Sequence, residues 1–104
     1  MDISATIKIK SIVQSILPEA KIILFGSRAR GDNTTHSDYD LLLITKKQYS
    51  LREKLNWRGK INRLLVSELH SPVDVLLNSE EEINVKKNLP GHIVRWAIKE
   101  GVEL

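Results

Sequence analysis

The sequence predicts an α+β fold, a small mixed twisted β-sheet with helices packed mainly on one face, within one domain spanning residues 1–104. Three observations carry this. Helix-spaced apolar residues open the chain; two short apolar runs follow, with only a Gly/Ser/Asn/Thr-rich stretch between them; a long amphipathic segment then precedes a third run. The predicted order is α-β-(turn)-β-α-β-α-α.

Ile9, Ile12, Val13, Ile16 and Leu17 recur at helical spacing and Pro18 follows, which predicts a helix over 4–17. Lys21 to Phe25 is a short apolar run halted by Gly26, hence a buried strand. Residues 26–37 read as a turn or short helix followed by an exposed loop. Asp38 to Thr45 reads as the second strand, with Asp38, Asp40, Leu42 and Ile44 on one face and Tyr39, Leu41, Leu43 and Thr45 on the other. Ser50 with Glu53 forms a capping box ahead of a helix over 51–69, whose apolar stripe is Leu51, Leu55, Ile61, Leu65 and Leu69. Gly59 weakens that helix by about 1 kcal/mol relative to alanine. Ser71-Pro72 breaks the chain before a third strand, Val73 to Leu77. Ser79 and three glutamates mark a further helix start, the acids suiting the N-terminal dipole. A last helix is expected from about Pro90, with Gly101 as its C-terminal glycine and Val102 and Leu104 folding back on the core.

Composition narrows the function. Hydrophobic residues make up 41% and charged residues 28%, a globular balance rather than a disordered one. The absence of cysteine excludes disulfides, cysteine-based zinc sites and thiol nucleophiles. No apolar run is long enough to span a bilayer, and the N-terminal stretch alternates charge with apolar residues instead of carrying a signal-peptide core. A cytoplasmic protein without a membrane partner is expected. The net charge of +3 is mild and fits solvated lysines better than a nucleic-acid surface.

The chemistry concentrates in the run LFGSRARGDNTTHSDYDLLLI. Magnesium wants hard oxygen ligands and usually takes one or two carboxylates plus substrate phosphates. Two such ions ~4 Å apart can clamp the attacking and leaving oxygens of an in-line displacement. Asp38 and Asp40, two residues apart on one strand face, would aim two ligands at one point. Asp74, set in an otherwise apolar strand, is the natural third, as ligand and as general base. A lone aspartate at a strand start is ordinarily a turn or cap residue, and Asp38 alone would be read so. Asp40 and Asp74 are harder to dismiss, because each lies among residues destined for the core and strands disfavour aspartate. Three converging carboxylates also repel one another, a cost that points to function.

Gly26 permits a sharp turn and close approach to phosphate oxygens. The hydroxyl and N–H of Ser27 can donate to those oxygens, helped if a short helix begins there. Arg28 and Arg30 flank the turn with forked donors, and Ser37 immediately precedes the first aspartate. No Walker pattern is present, since no Gly-Lys-Ser or Gly-Lys-Thr follows the turn.

At Gly26-Ser27, Asp38-x-Asp40 and Asp74 the chain resembles the nucleotidyltransferase superfamily typified by DNA polymerase β and kanamycin nucleotidyltransferase. More closely it resembles the minimal nucleotidyltransferase (MNT) group, whose short chains share the run G-S-R-A-R-G-x-x-x-x-x-S-D-x-D-L. That similarity spans nearly all of the chain. It implies a nucleotidyltransferase fold in which Gly26 and Ser27 bind the triphosphate, Asp38 and Asp40 hold magnesium and Asp74 completes the site. From the residues themselves Arg28, Arg30 and Ser37 are expected to join the triphosphate side, with Asp74 a further ligand and two magnesium ions in all. The resemblance further implies an antitoxin that transfers AMP from ATP onto a tyrosine of a partner HEPN-domain toxin. Larger relatives carry an extra domain that grips the acceptor; these residues leave no room for one, so a protein that brings its own pocket is the expected acceptor.

Two other classes of function compete. One is a catalytically silent module that neutralises its partner by occlusion, which would have no need of three carboxylates. The other is nucleotidyl transfer to RNA or a small molecule, which the lack of a dense basic stripe disfavours. Lys54, Arg58 and Asn62 recur every four residues inside the apolar arc of the 51–69 helix, reaching either towards phosphates, towards an acidic partner, or simply to solvent. His36, His70 and His92 have no metal-site spacing and are expected to be surface or structural. Trp57 and Trp96 are expected to pack in the core or at an interface.

Overall fold

The computed structural model describes residues 2–104. Its elements are α1 (Ile3–Ile16), β1 (Lys21–Phe25), α2 (Ser27–Arg30), β2 (Tyr39–Thr45), α3 (Leu51–Leu69), β3 (Val73–Ser79), α4 (Glu80–Lys86), α5 (Ile93–Glu100) and β4 (Val102–Glu103). The four strands form one mixed sheet in the order β3-β2-β1-β4. β1 runs antiparallel to β2 and to β4, whereas β2 and β3 are parallel, joined by the α3 crossover.

Alternation along the strands divides the interior. Ile22, Leu24, Tyr39, Leu41, Leu43, Val73, Val75 and Leu77 face α1 and α3, where they meet Ile9, Val13, Ile61 and Leu65. On the opposite face Phe25, Leu42 and Ile44 pack with Ile83 of α4 and Val94 and Ala97 of α5. The expected weighting of helices to one face therefore describes the two long helices, and α4 and α5 cover part of the second face. Because β2 is central and packed on both sides, Leu41, Leu42 and Leu43 are all fully buried. Removing any of these side chains would cost about 2–5 kcal/mol.

The helix starts follow local chemistry. Asp2 caps α1 by accepting from the Ser4 N–H at 3.0 Å. Capping boxes open α3 at Ser50 and α4 at Ser79. α5 begins three residues later than Pro90, because Gly91 is left-handed (φ 75°) and His92 Nδ1 accepts from the Val94 N–H, making the histidine the cap. β2 begins at Tyr39, so Asp38 lies just before the strand, and β3 runs on to Ser79.

Gly101 is the C-cap of α5, as expected, but not in the left-handed conformation usual for a glycine there. Its backbone is extended (φ −76°, ψ 163°), and its N–H donates to the Ala97 carbonyl at 2.9 Å. A Cβ there would overlap the Ala97 carbonyl and the Ile23 side chain, so close packing requires the glycine. Beyond it the chain pairs with β1, and the Leu104 N–H donates to the Ile22 carbonyl at 2.9 Å. Leu104 packs on the core while Val102 stays half exposed. Along α3 the anticipated apolar stripe reaches the core only in its later part: Ile61 and Leu65 are fully buried, whereas Leu51 and Leu55 are 73% and 55% exposed. Trp57 packs against the core and Trp96 does not, being 54% exposed.

Candidate active site

Register places the two strand carboxylates side by side. In the parallel β2–β3 pair Asp40 is the partner of Asp74, and in the antiparallel β1–β2 pair it stands opposite Phe25. Alternation puts Tyr39 and Val73 into the core under α1 and α3, so Asp40 and Asp74 both emerge on the second face. Asp74 is exposed and Asp40 half-buried; Asp38, exposed at the mouth of the loop, lies near enough to act on Asp40 electrostatically. Burial first, then the charges of Asp74 and Asp38, push the Asp40 carboxyl above its ordinary range, opposed by Arg30. Negative charge is thus concentrated where β2 and β3 begin.

Gly26 closes over that charge. Its φ of 75° is left-handed, and a Cβ on it would lie 3.2 Å from Asp40 Cγ and closer still to Oδ2. Glycine is required both by the backbone and by the carboxylate beneath it. The N–H groups of Ala29 and Arg30 return to the Gly26 carbonyl at 3.1 Å each, which leaves those of Ser27 and Arg28 open at the start of the turn.

The two arginines serve differently. Arg28 turns away from the carboxylates: Nε and Nη2 donate to the Ser37 carbonyl at 3.1 and 2.9 Å, and its Cζ lies 3.9 Å from the centre of the Tyr39 ring. It pins the loop that leads into β2. Arg30 pairs with Asp32 at 3.2 Å and with Glu100 of α5 at 3.4 Å, and remains close enough to moderate Asp40. The Ser37 Oγ accepts from the Thr34 N–H at 2.9 Å, shaping the same loop. The expected residues Gly26, Ser27, Arg30, Asp40 and Asp74 therefore border one region, while Arg28 and Ser37 hold its rim.

The polar row on α3 has a role that the sequence left open. Arg58 Nε donates to the Val75 carbonyl at 2.8 Å and Asn62 Nδ2 to the Val73 carbonyl at 2.5 Å. These bonds satisfy the open edge of β3 on either side of Asp74. Lys54 pairs instead with Glu82 of α4. Of the histidines, His92 caps α5, His70 ends α3 in a left-handed conformation, and His36 lies in the exposed loop.

Among the described residues no three His, Cys, Asp or Glu side chains converge tightly enough to hold a metal ion by themselves. The donor set nevertheless fits a hard divalent cation whose remaining ligands come from phosphate oxygens. Two adjacent carboxylates, one held above its ordinary pKa by burial and then by its acidic neighbours, form a site short of positive charge. No described helix is long and apolar enough to cross a membrane.

A mixed sheet that sets a glycine turn against paired strand carboxylates defines a nucleotide-handling enzyme domain. The family described as Polymerase beta, Nucleotidyltransferase matches residues 7–95, and the chain belongs to it. A curated relative from Methanocaldococcus jannaschii, named "Putative protein adenylyltransferase", is 42% identical over 57 residues, covering 52% of this chain and 58% of that protein. The matched region thus spans little more than half of that relative. Two solved structures share the fold. A toxin–antitoxin complex with AMP-PNP aligns with a TM-score of 0.66 at 20% identity, over 92% of this chain and 68% of the other. A tri-AMPylated Shewanella oneidensis HEPN toxin in complex with MNT antitoxin aligns at 0.62 with 18% identity, over 99% and 71%.

Proposed function

We propose that this chain is a magnesium-dependent adenylyltransferase that moves AMP from ATP to a tyrosine hydroxyl of a HEPN-type partner toxin in the cytoplasm, silencing it as an antitoxin. The observation that carries the proposal is the in-register pairing of Asp40 with Asp74 beneath the Gly26 turn. Family membership supplies the reaction class, and the named relative and the toxin–antitoxin complexes favour a protein acceptor.

In this reading the acceptor oxygen attacks the α-phosphorus of ATP. The bond from that phosphorus to the bridging oxygen of the β-phosphate breaks, and pyrophosphate leaves. The Asp74 carboxylate, exposed and without a side-chain hydrogen bond or ion pair among the described residues, receives the hydroxyl proton. Asp38, Asp40 and Asp74 would hold magnesium, which supplies charge neutralisation at the phosphates when bound. The open N–H groups of Ser27 and Arg28 orient the triphosphate, and Arg30 adds a cation beside it. Arg28 and Ser37 contribute by fixing the loop that presents Asp38.

The test is transfer from ATP labelled at the α-phosphate, with magnesium and an extract of the source cells, comparing the wild type with Asp38→Asn. An Asp38-dependent label on protein, absent with γ-labelled ATP, is the expected result. A label on RNA or on small molecules would replace the acceptor. No Asp38-dependent label on anything would sink the enzymatic reading and leave occlusion of the partner.

A further inference from the structure

On the outer side of β3 lies a groove of about 370 Å³ between that strand and α3, lined by Leu55, Arg58, Gly59, Asn62, Arg63 and Asp74. We propose that this groove is the docking cleft for the acceptor, and that it takes an extended polypeptide segment with acidic side chains beside the hydroxyl to be modified. The inference rests on the transfer reading above and specifies its acceptor.

The position of the groove separates it from the nucleotide side. Sheet order is β3-β2-β1, so the Gly26 turn at the end of β1 lies across β2 from the groove, and Asp74 stands between them. A segment in the groove would reach Asp74 from the side opposite the triphosphate, as in-line displacement requires.

The lining indicates the chemistry of the occupant. The Val73 and Val75 carbonyls are already taken by Asn62 and Arg58, so they are not available for strand addition and recognition falls to side chains. Among the described residues the Arg63 side chain has neither a hydrogen bond nor an ion pair, and it is exposed. With Arg58, whose Nε is committed to the Val75 carbonyl, it places two guanidinium groups in one groove against the single carboxylate of Asp74, a net positive lining that suits carboxylates. Leu51 and Leu55, far more exposed than an apolar helix stripe demands, extend the same line along α3 at four-residue steps towards Gly59. Gly59 has ordinary helical geometry and no conformational need to be glycine; a Cβ there would meet only the Arg63 guanidinium, at 3.3 Å. A mid-helix glycine costs about 1 kcal/mol relative to alanine, and an open groove floor accounts for it.

The experiment titrates the isotopically labelled chain by NMR with two tyrosine peptides, one flanked by glutamates and one by lysines. The glutamate peptide is expected to shift the amides of Leu55, Gly59 and Arg63 saturably, binding at least about tenfold more tightly than the lysine peptide. Arg63→Glu should reverse that preference. Gly59→Leu, with helix content and Tm retained, should abolish binding by filling the floor. Absence of groove shifts at about 1 mM peptide, or equal affinity for both peptides, overturns the proposal. The same peptides are then offered with α-labelled ATP. Selective binding without any transfer upholds the groove and counts against the transfer reading. Transfer that neither Arg63→Glu nor Gly59→Leu alters overturns the groove and leaves the transfer reading standing.

Discussion

Asp40 on β2 and Asp74 on β3 are register partners across the only parallel strand pair among the described residues, and both emerge on the same face. Antiparallel β1 supplies Gly26 above Asp40, so three strand ends converge on one acidic point. The arrangement stores unfavourable charge, and that charge makes it testable.

Replacing Asp40 by Asn should abolish transfer and raise stability. Burial and the neighbouring acids hold the folded-state pKa above the ordinary 3.8. The folded state therefore binds the proton more readily than the unfolded chain, and stability falls as pH rises from about 3.8 through the raised value. At neutral pH the wild type bears that penalty in full, whereas Asp40→Asn escapes it. A higher Tm for the variant at pH 7, with the difference vanishing as pH falls below the ordinary 3.8, is expected from thermal melts. A lower Tm at pH 7 would show that Asp40 makes a net stabilising contact.

Gly26→Ala should lose both stability and activity. The left-handed φ and the overlap with Asp40 act together, at about 1–3 kcal/mol. Denaturant unfolding measures the loss. Gly26→Ala combined with Asp40→Gly should recover part of it, because the overlap is with that side chain.

Arg28→Lys should loosen the loop over 31–38 without unfolding the core. A lysine cannot supply two N–H groups to the Ser37 carbonyl while lying over Tyr39. Faster hydrogen exchange confined to that loop, with a transfer rate reduced roughly tenfold (about 1.4 kcal/mol), is the expected outcome. Unchanged exchange would remove Arg28 from the loop's support.

The Lys54–Glu82 pair should appear in acid unfolding. Burial raises the Glu82 carboxyl, but hydrogen bonds from Lys54 and the Ser79 N–H, with the charges of Lys54 and Lys86, outweigh it and hold the pKa below its ordinary 4.5. Stability from this group is present above that value and lost as pH falls through the folded pKa. Lys54→Met should destabilise the chain by about 1 kcal/mol at pH 7 and by much less at pH 3. An equal loss at both pH values would assign the effect to packing.

Much of the scaffold was readable from local patterns. Alternation along Asp38 to Thr45 placed Asp40 on the face opposite Tyr39 and Leu41, and capping boxes at Ser50 and Ser79 marked two helix starts, because each device works within a few residues of sequence. The start of α5 was misplaced because Pro90 is followed by a left-handed Gly91, and His92 is an uncommon cap. Gly101 caps α5 as its position in the sequence indicates, but the need for glycine comes from the Ala97 carbonyl together with Ile23 and Leu24 of β1, which only the tertiary structure brings near.

By itself the sequence determined three of the four strands and that the Gly26-Ser27 turn precedes the carboxylates of β2; it read Val102–Glu103 only as a tail folding back, and it placed Asp38 inside the strand that begins at Tyr39. Tertiary structure alone decided that Asp74 stands beside Asp40, since the register of two strands joined through a 19-residue helix depends on how α3 packs. It also turned Arg28 onto the Ser37 carbonyl and laid Arg58 and Asn62 along the edge of β3. Those choices are made by the unpaired carbonyls that a finished fold leaves to be satisfied, and no pattern within a single segment records them.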